Sequence, residues 1–189
     1  MAHPARSSGS DPWPWPVNVD QIPETGLQVA FEANDAQRAA LARDAGLRDV
    51  PQASAAFELS HAGGGKVLVT GRVRARVGQT CVVTLDPVEN EIDEPVDLVF
   101  VPEADMPRLS SAVDDEAESD EIPDPPEPIV NGVIDLGRVA TDVLFLGIDP
   151  YPRKPDAVFE PPEVARDPED HPFAALKALQ KGKTPPGAD

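Results

Sequence analysis

The stretch that most restricts the fold is GKVLVTGRVRARVG, residues 65–78. Small apolar residues, mostly valine, stand at alternate positions, and arginines fill the positions between them in the second half. Alternation with a period of two predicts a β-strand with one buried face and one solvated face. The residues of the buried face are Val67, Val69, Val73, Ala75 and Val77. The fold therefore contains a sheet with one covered face.

A second alternating segment sets the pairing of this strand. Residues 53–62, ASAAFELSHA, also alternate, and the cluster Gly63-Gly64-Gly65 separates them from the valine strand. Two such runs joined by a short glycine loop predict a β-hairpin. Three more segments have strand character, namely residues 26–33, 79–88 and 95–102. Together they predict an antiparallel sheet of about five strands.

Two segments have the pattern of helices. In residues 34–46, Asn34 is placed as the N-cap, Gln37 completes a capping box and Gly46 ends the helix. In residues 133–147, apolar residues recur at helical spacing. The N-cap of this main helix is Asp135, its apolar stripe is Leu136, Val139, Ala140, Val143 and Leu144, and Gly147 and Pro150 stop it. The predicted fold class is α+β, with the main helix packed on one face of the antiparallel sheet.

An acidic, proline-containing segment interrupts these patterns at residues 103–127. It contains ten acids and one base, so it carries half of the net charge of −18 and is predicted to be a disordered loop. Both termini are predicted to be flexible. The predicted parts are a mobile arm at 1–21 containing Trp13 and Trp15, an α+β domain at 22–157, and a polar tail at 158–189 with a short helix at 171–181. The arm has two interpretations, a packing strap and a ligand-stacking pair of indoles.

Composition argues against several kinds of site. The single cysteine, Cys81, lacks the partner that a disulfide or a zinc pair requires, and the three histidines lie far apart. No nucleophile stands beside a base, and no phosphate-binding glycine loop is present. We therefore expect a protein that is not an enzyme, with no catalytic residues, no metal and no cofactor. No run is apolar enough to span a membrane, and the start of the chain lacks a signal peptide, which favours a cytoplasmic location.

Cations of the valine strand form the first candidate binding surface. Arg72, Arg74 and Arg76 occupy alternate positions, so neighbours are about 6–7 Å apart, close to the phosphate spacing of a single nucleic-acid strand. We call these three residues the arginine ladder. Two interpretations remain open. The ladder contacts phosphates, or it pairs with acids of an adjoining strand such as Glu91 and Glu94.

Two segments resemble the signatures of one known family. RARVGQTCVVTLDPV is similar to a signature in which an arginine-bearing strand precedes cysteine, leucine, an acid or small residue, proline and valine. IDLGRVATDVLFLGIDPYPRKPDA is similar to a second signature, an apolar helix that opens with Ile-Asp-Leu and ends in a proline turn. These signatures are those of the YceD family, the large ribosomal RNA subunit accumulation proteins. PWPVNVDQIPETGL and HPFAALKALQKGK also fit, so the resemblance covers most of residues 14–183.

The resemblance implies a non-enzymatic ribosome-assembly factor that supports processing or accumulation of large-subunit ribosomal RNA. The implied partner is precursor ribosomal RNA, contacted directly or indirectly. An alternative is an acidic adaptor or chaperone whose loop shields a basic ribosomal protein. Many members carry a second cysteine where this chain has Thr84, so the resemblance supports no metal or redox role for that pair. The oligomeric state is left open.

The turn after the main helix adds an aromatic residue to the candidate surface. It contains Tyr151, the only tyrosine of the chain, beside Arg153 and Lys154. Single-stranded RNA is commonly bound by base stacking on aromatic side chains next to cations. A simpler interpretation is a helix that ends at a proline, after which the chain leaves the domain. Our hypothesis is that this turn and the arginine ladder form one continuous basic-aromatic surface for RNA.

Overall fold

The computed structural model describes residues 11–106 and 125–159, and the chain divides into two units, residues 1–156 and 157–189. The fold given below is that of the first unit. The strands of its described part are β1 (Pro16–Asn18), β2 (Leu27–Glu32), β3 (Asp49–His61), β4 (Val67–Thr80), β5 (Pro87–Pro102), β6 (Glu127–Ile129) and β7 (Val133–Asp135). The α-helices are α1 (Asp35–Ala45) and α2 (Leu136–Leu146).

Five strands form the main sheet in the order β2-β3-β4-β5-β6, and β1 pairs with β7 separately. The α+β class and the sheet of five strands are confirmed. Neighbours from β2 to β5 are antiparallel, but β6 runs parallel to β5, so the sheet is mixed and the prediction of a purely antiparallel sheet is wrong. The reason lies in the connection. Parallel neighbours need a crossover of about a dozen residues or more, and residues 103–126 provide one.

Strands β3 and β4 form the predicted hairpin. Gly63, Gly64 and Gly65 in its loop all have positive φ, at 78°, 60° and 73°. A side chain with a Cβ makes this left-handed backbone costly, which explains why three glycines occur in succession.

The connection from β4 to β5 differs from the prediction. Residues 81–86 form a tight turn, so the strand predicted at 79–88 is wrong in its centre. The strand predicted at 95–102 is the second half of β5, which has 16 residues. Acids and an asparagine fill much of the first half of β5, and this composition hid its alternation.

Helix α2 covers the inner face of β4. Val67, Val69, Val73 and Val77 on β4 are fully buried in one core cluster with Leu136, Ala140 and Leu144 of α2. The predicted apolar stripe therefore faces the sheet, with Val139 and Val143 partly buried beside it. Full burial of a valine or leucine side chain contributes about 1.5–3 kcal/mol, so this contact is a major source of stability.

Both predicted helix caps are confirmed. At the start of α1, the Asn34 side chain accepts the N–H of Gln37 at 3.0 Å, and the Gln37 side chain accepts the N–H of Asn34 at 2.9 Å. Gly46 ends α1 with a φ of 67°. At the start of α2, the Asp135 carboxylate accepts two of the free helix N–H groups, at 3.0 and 3.3 Å.

The tryptophans belong to a strap that packs across the start of α2. Trp13 is fully buried with its ring centroid 5.1 Å from that of Phe31, and the Trp15 ring stacks on Phe31 at 4.6 Å. Asp135 also accepts the N–H of Trp15 at 2.9 Å, and the Trp15 carbonyl accepts the N–H of Leu136 at 3.0 Å. The structure therefore shows the packing-strap interpretation of the predicted arm.

Several predicted segments lie partly or wholly outside the described residues. The first ten residues of the arm predicted at 1–21 are outside, and the remainder contains the strap. Residues 107–124 of the acidic loop predicted at 103–127 are outside. The tail predicted at 158–189 is outside from its third residue onward, including the helix predicted at 171–181.

Gly137→Ala tests whether α2 requires the close approach of the strap. A Cβ at position 137 would overlap the carbonyl oxygen of Trp13 and lie 2.6 Å from the nitrogen of Trp15. Although alanine favours helices over glycine, overpacking costs about 1–3 kcal/mol. We expect the free energy of unfolding, measured by urea titration, to fall by about this amount. We also expect tryptophan emission to shift to the red, because both tryptophans of the chain lie in the strap.

Arg138→Ala is the matched control. It changes the next residue of α2, whose side chain is exposed and makes a long ion pair of 3.7 Å with Asp142. Its effect should stay within about 0.5 kcal/mol, with unchanged emission. If Gly137→Ala leaves both stability and emission at wild-type values, the close packing of strap and helix is wrong.

Candidate functional site

The arginine ladder lies on the open face of the sheet, away from α2. Its residues alternate with the buried Val73 and Ala75. Opposite Arg72, Arg74 and Arg76 stand Ala56, Ser54 and Gln52 on β3, and Pro95, Asp93 and Glu91 on β5. The ladder thus has small or neutral side chains on the β3 side, and two acids and a proline on the β5 side.

Acids of β5 pair with all three ladder arginines. Asp93 Oδ1 lies 2.8 Å from Arg72 Nη1 and 3.3 Å from Arg74 Nε. Glu91 Oε1 lies 3.1 Å from Arg76 Nη2. The hydrogen bond from Arg72 is the main cause that holds the pKa of the Asp93 carboxyl below its usual value. Pairing with an adjoining strand is therefore present in the structure, and phosphate contact stays a prediction.

The partners of the ladder were only partly predicted from the sequence. Glu91 is confirmed, but Glu94 is wrong, because it stands opposite Val73 on the face that α2 covers. Asp93 was missed. Since outward residues of a strand recur every second position, counting from Glu91 would have pointed to Asp93 rather than Glu94.

The ion pairs of the ladder are exposed, and the face around them is acidic. Between 47% and 66% of each ladder side chain remains accessible to solvent. Exposed ion pairs contribute only about 0–1 kcal/mol, so another anion can replace the carboxylates. The acids of this face on strands β2 to β5 include Glu32, Glu58, Glu89, Glu91, Asp93 and Asp97. They outnumber the ladder arginines, so the open face carries net negative charge.

Residues 149–155, which we call the pinned turn, pack against the end of the β4–β5 hairpin. The Pro152 carbonyl accepts the backbone N–H of Val82 at 2.9 Å. The Asp149 carbonyl accepts a side-chain N–H of Gln79 at 2.8 Å. Gln79 belongs to the same face of β4 as the buried valines, so this contact lies on the α2 side of the sheet.

Cys81 joins the two turns at their centre. Its Sγ accepts the backbone N–H groups of Thr84 and Lys154, each at 3.5 Å. The cysteine is fully buried, as predicted, but it begins a turn rather than continuing a strand. Beside it, Lys154 Nζ lies 3.0 Å from Asp86 Oδ2. This pairing lowers the pKa of Asp86 and raises the pKa of Lys154.

The surroundings of Cys81 favour its thiolate. Hydrogen bonds from the Thr84 side chain, then from the Thr84 and Lys154 backbones, outweigh burial and lower the pKa of the thiol from 9.0 to about 6. Hydrogen bonds to the charged form of a group stabilise that form. The thiolate is thereby linked to the contact between the two turns.

The pinned turn presents an aromatic ring and a free cation. Tyr151 is 70% exposed. Arg153 is also exposed, and it makes no ion pair with any residue in the described ranges. Lys154 is held by Asp86. Of the three candidates in this turn, Tyr151 and Arg153 are therefore the ones available to a ligand.

The six candidate residues form two groups. Strand β4 brings the ladder arginines together in its middle, and the pinned turn brings Tyr151, Arg153 and Lys154 together beyond its end. Within residues 11–106 and 125–159, no hydrogen bond or ion pair joins the two groups. Whether one RNA contacts both groups stays a prediction.

In the described ranges, no group of three or more His, Cys, Asp or Glu side chains is placed to hold a metal ion. No helix there has the length and apolar character to cross a membrane.

The fold and the site define a small α+β domain in which a hairpin turn and the proline-rich turn after the main helix are tied together. The family model for the large ribosomal RNA subunit accumulation protein YceD matches residues 69–180, more than half of the chain. The chain belongs to the YceD family, which confirms the resemblance. The name of the family connects it with accumulation of large-subunit ribosomal RNA. Neither the curated proteins nor the solved structures contained a match.

The lowered pKa of Cys81 predicts a pH-dependent stability. Because the folded-state pKa of about 6 lies below the ordinary value of 9.0, ionisation of the thiol favours the folded state. This contribution is complete above the ordinary value and is lost as the pH falls through 6. We therefore expect the wild type to become more stable relative to Cys81→Ser as the pH rises from 6 to 9. The measurement is the difference between their free energies of unfolding in urea titrations.

Thr84→Val provides the matched variant for this measurement. It keeps the shape of the side chain and removes the hydroxyl that lowers the pKa of Cys81 most. The free energy of unfolding of Thr84→Val, relative to that of Cys81→Ser, should then begin to rise at a higher pH and should rise by less. A constant difference between wild type and Cys81→Ser across this range would contradict the stabilised thiolate.

Proposed function

We propose that the protein is a non-enzymatic ribosome-assembly factor that works in the cytoplasm and supports the accumulation and processing of large-subunit ribosomal RNA by contacting the precursor RNA. Membership of the YceD family supports the connection with large-subunit RNA. The observation that supports direct contact with RNA is the exposure of Tyr151 and Arg153 on the pinned turn.

The pinned turn suits a single-stranded RNA for physical reasons. Hydrogen bonds of Pro152 and Lys154 to the β4–β5 turn fix the backbone on both sides of Arg153. A ring on a fixed backbone loses little conformational freedom when a base stacks on it. Stacking of this kind contributes about 1–3 kcal/mol per base. Arg153 follows two residues later in the turn and is exposed, so it is free to contact a phosphate.

The arginine ladder supplies the second contact in this proposal. Its spacing suits successive phosphates, and its ion pairs are exposed enough for phosphates to displace the carboxylates. The net charge of −18 opposes RNA at long range. Binding is therefore expected to depend on short-range contacts and to weaken steeply with salt.

Substitutions in the two groups test RNA contact. The probe is a fluorescent single-stranded segment of large-subunit precursor RNA, followed by anisotropy. Tyr151→Ala combined with Arg153→Glu should weaken binding by about tenfold or more, because stacking and a cation are lost together.

Changing Arg72, Arg74 and Arg76 to Glu should abolish binding without unfolding the protein. Circular dichroism and urea titration check the fold.

Arg43→Glu is the control for net charge. Arg43 is an exposed residue of α1 that pairs with the neighbouring Asp44, and it belongs to neither candidate group. It should change affinity less than about threefold at physiological salt. If it weakens binding as much as the combined Tyr151→Ala and Arg153→Glu change, the effect is one of total charge. If the triple ladder variant still binds RNA, the ladder is not a contact surface.

Asp93→Asn should have the opposite effect on RNA affinity. Asp93 holds both Arg72 and Arg74, so the amide would release two cations to phosphates and remove one repulsive charge. We expect affinity to rise by about threefold to tenfold and the salt dependence to become steeper. Glu58→Gln removes one charge from the same face without freeing an arginine, and it should have the smaller effect. Equal effects of the two variants would contradict a role for the ladder.

A second candidate function is an acidic adaptor or chaperone for a basic ribosomal protein. The observation that favours it is the net negative charge of the open sheet face. A crosslinked pull-down from cells at physiological salt separates the two candidates. Enrichment of precursor RNA that the triple ladder variant reduces supports RNA contact. Enrichment of a basic ribosomal protein without crosslinked RNA supports the adaptor.

A further inference from the structure

The free edge of β5 is a second surface with binding potential. Strand β5 pairs with β4 on one side along Pro87–Phe100. On the other side it pairs with β6 only at Phe100–Pro102. Within the described residues, no other strand or loop makes backbone hydrogen bonds to the far side of residues 87–99. In the part of the chain that the structure describes, thirteen residues of β5 thus form an unpaired edge.

An unpaired edge of this length is a template for another strand. Backbone N–H and C=O groups along such an edge pair readily with an added extended segment. In strand addition, the backbone supplies affinity and the alternating side chains supply specificity. The side chains of β5 that would flank an added strand on the open face therefore decide which partner fits.

These side chains select a basic partner. The acids of β5 on the open face are Glu89, Glu91, Asp93 and Asp97, and residues 87–99 contain no lysine or arginine. Glu91 and Asp93 are paired with the ladder, whereas Glu89 and Asp97 make no ion pair with a described residue. Cross-strand partners in a sheet lie about 4.5–5.5 Å apart at Cβ, close enough for lysine or arginine to reach these carboxylates.

The same features disfavour a second copy of this chain at the edge. Proline and charged side chains on edge strands are known devices against self-pairing, and Pro95 removes one backbone donor. Each copy carries a net charge of −18, so two acidic edges would repel each other. A strand with lysine or arginine at alternate positions instead meets the carboxylates of Glu89, Glu91, Asp93 and Asp97.

We propose that the free edge of β5 binds an extended, lysine- or arginine-rich protein segment by strand addition. The inference develops the adaptor candidate described above, and it rests on that candidate for the identification of a basic ribosomal protein as partner. The edge itself is defined by strand pairing and charge alone.

Binding is measured with the full chain and a fluorescein-labelled peptide in which lysine and threonine alternate over about twelve residues. We expect saturable binding by anisotropy at physiological salt and slowed amide exchange within residues 87–99. The same peptide with N-methyl groups on alternate backbone nitrogens keeps every charge but loses donors needed for pairing. It should bind at least about tenfold more weakly.

Charge reversals locate the site. Glu89→Lys combined with Asp97→Lys places cations beside the incoming strand and should weaken peptide binding at least about tenfold. Glu58→Lys combined with Glu32→Lys makes the same total change on β3 and β2 of the open face, away from the β5 edge. This control should weaken binding less than about threefold.

Three results would overturn the inference. The first is equal binding of the N-methylated peptide, which would show attraction by charge without strand pairing. The second is an equal loss of peptide affinity in the control variant on β2 and β3. The third is amide exchange that the peptide slows only at residues other than 87–99. The RNA proposal has a separate readout, because the precursor RNA probe is measured on the ladder and pinned-turn variants. Failure of the peptide experiment therefore leaves that result unchanged.

Discussion

Burial of the valine face of β4 is the interaction on which the rest of the structure depends. The strand pairs with β3 and β5 over most of its length, and α2 closes over its inner face. Because side chains alternate along a strand, turning the valines inward turns the ladder arginines outward. A slip of one residue would exchange the two faces and bury three guanidinium groups. The same register sets Asp93 and Glu91 beside the arginines, so the core and the candidate surface follow from one pairing.

Local signals in the sequence were sufficient for much of this fold. Alternation predicted β2, β3 and β4, glycines predicted the first hairpin, and side-chain caps predicted where both helices begin. The parallel strand β6 was not predictable in this way, because its three residues are too few to show an alternating pattern. The direction of the strand also depends on the long connection that precedes it. In the candidate site, alternation predicted the direction of the arginines. It did not predict that Asp93 binds two of them, which requires the register of β4 against β5.

The pinned turn shows a kind of contact that no local pattern reveals. Cys81 and Lys154 are 73 residues apart, and their meeting depends on α2 returning the chain to the end of the β4–β5 hairpin. In this chain, hydrogen bonds to one sulfur and the pair of Lys154 with Asp86 hold the two turns together. Together with the hydrogen bonds of Gln79 to Asp149 and of Val82 to Pro152, these contacts fix the backbone that presents Tyr151, so a buried thiol contributes to the position of an exposed ring.

The strap ties the beginning of the domain to its end, and this has a consequence for the order of folding. The Asp135 carboxylate accepts the N–H of Trp15 across 120 residues of chain, and β1 has its partner in β7. Contacts of such separation close only after a large entropy cost, which the intervening sheet reduces once it has formed. A growing chain on the ribosome therefore cannot complete the hydrogen bonds of the strap until residues 133–136 have been synthesised. Docking of the strap is therefore expected late in folding, after the sheet and the start of α2 have formed.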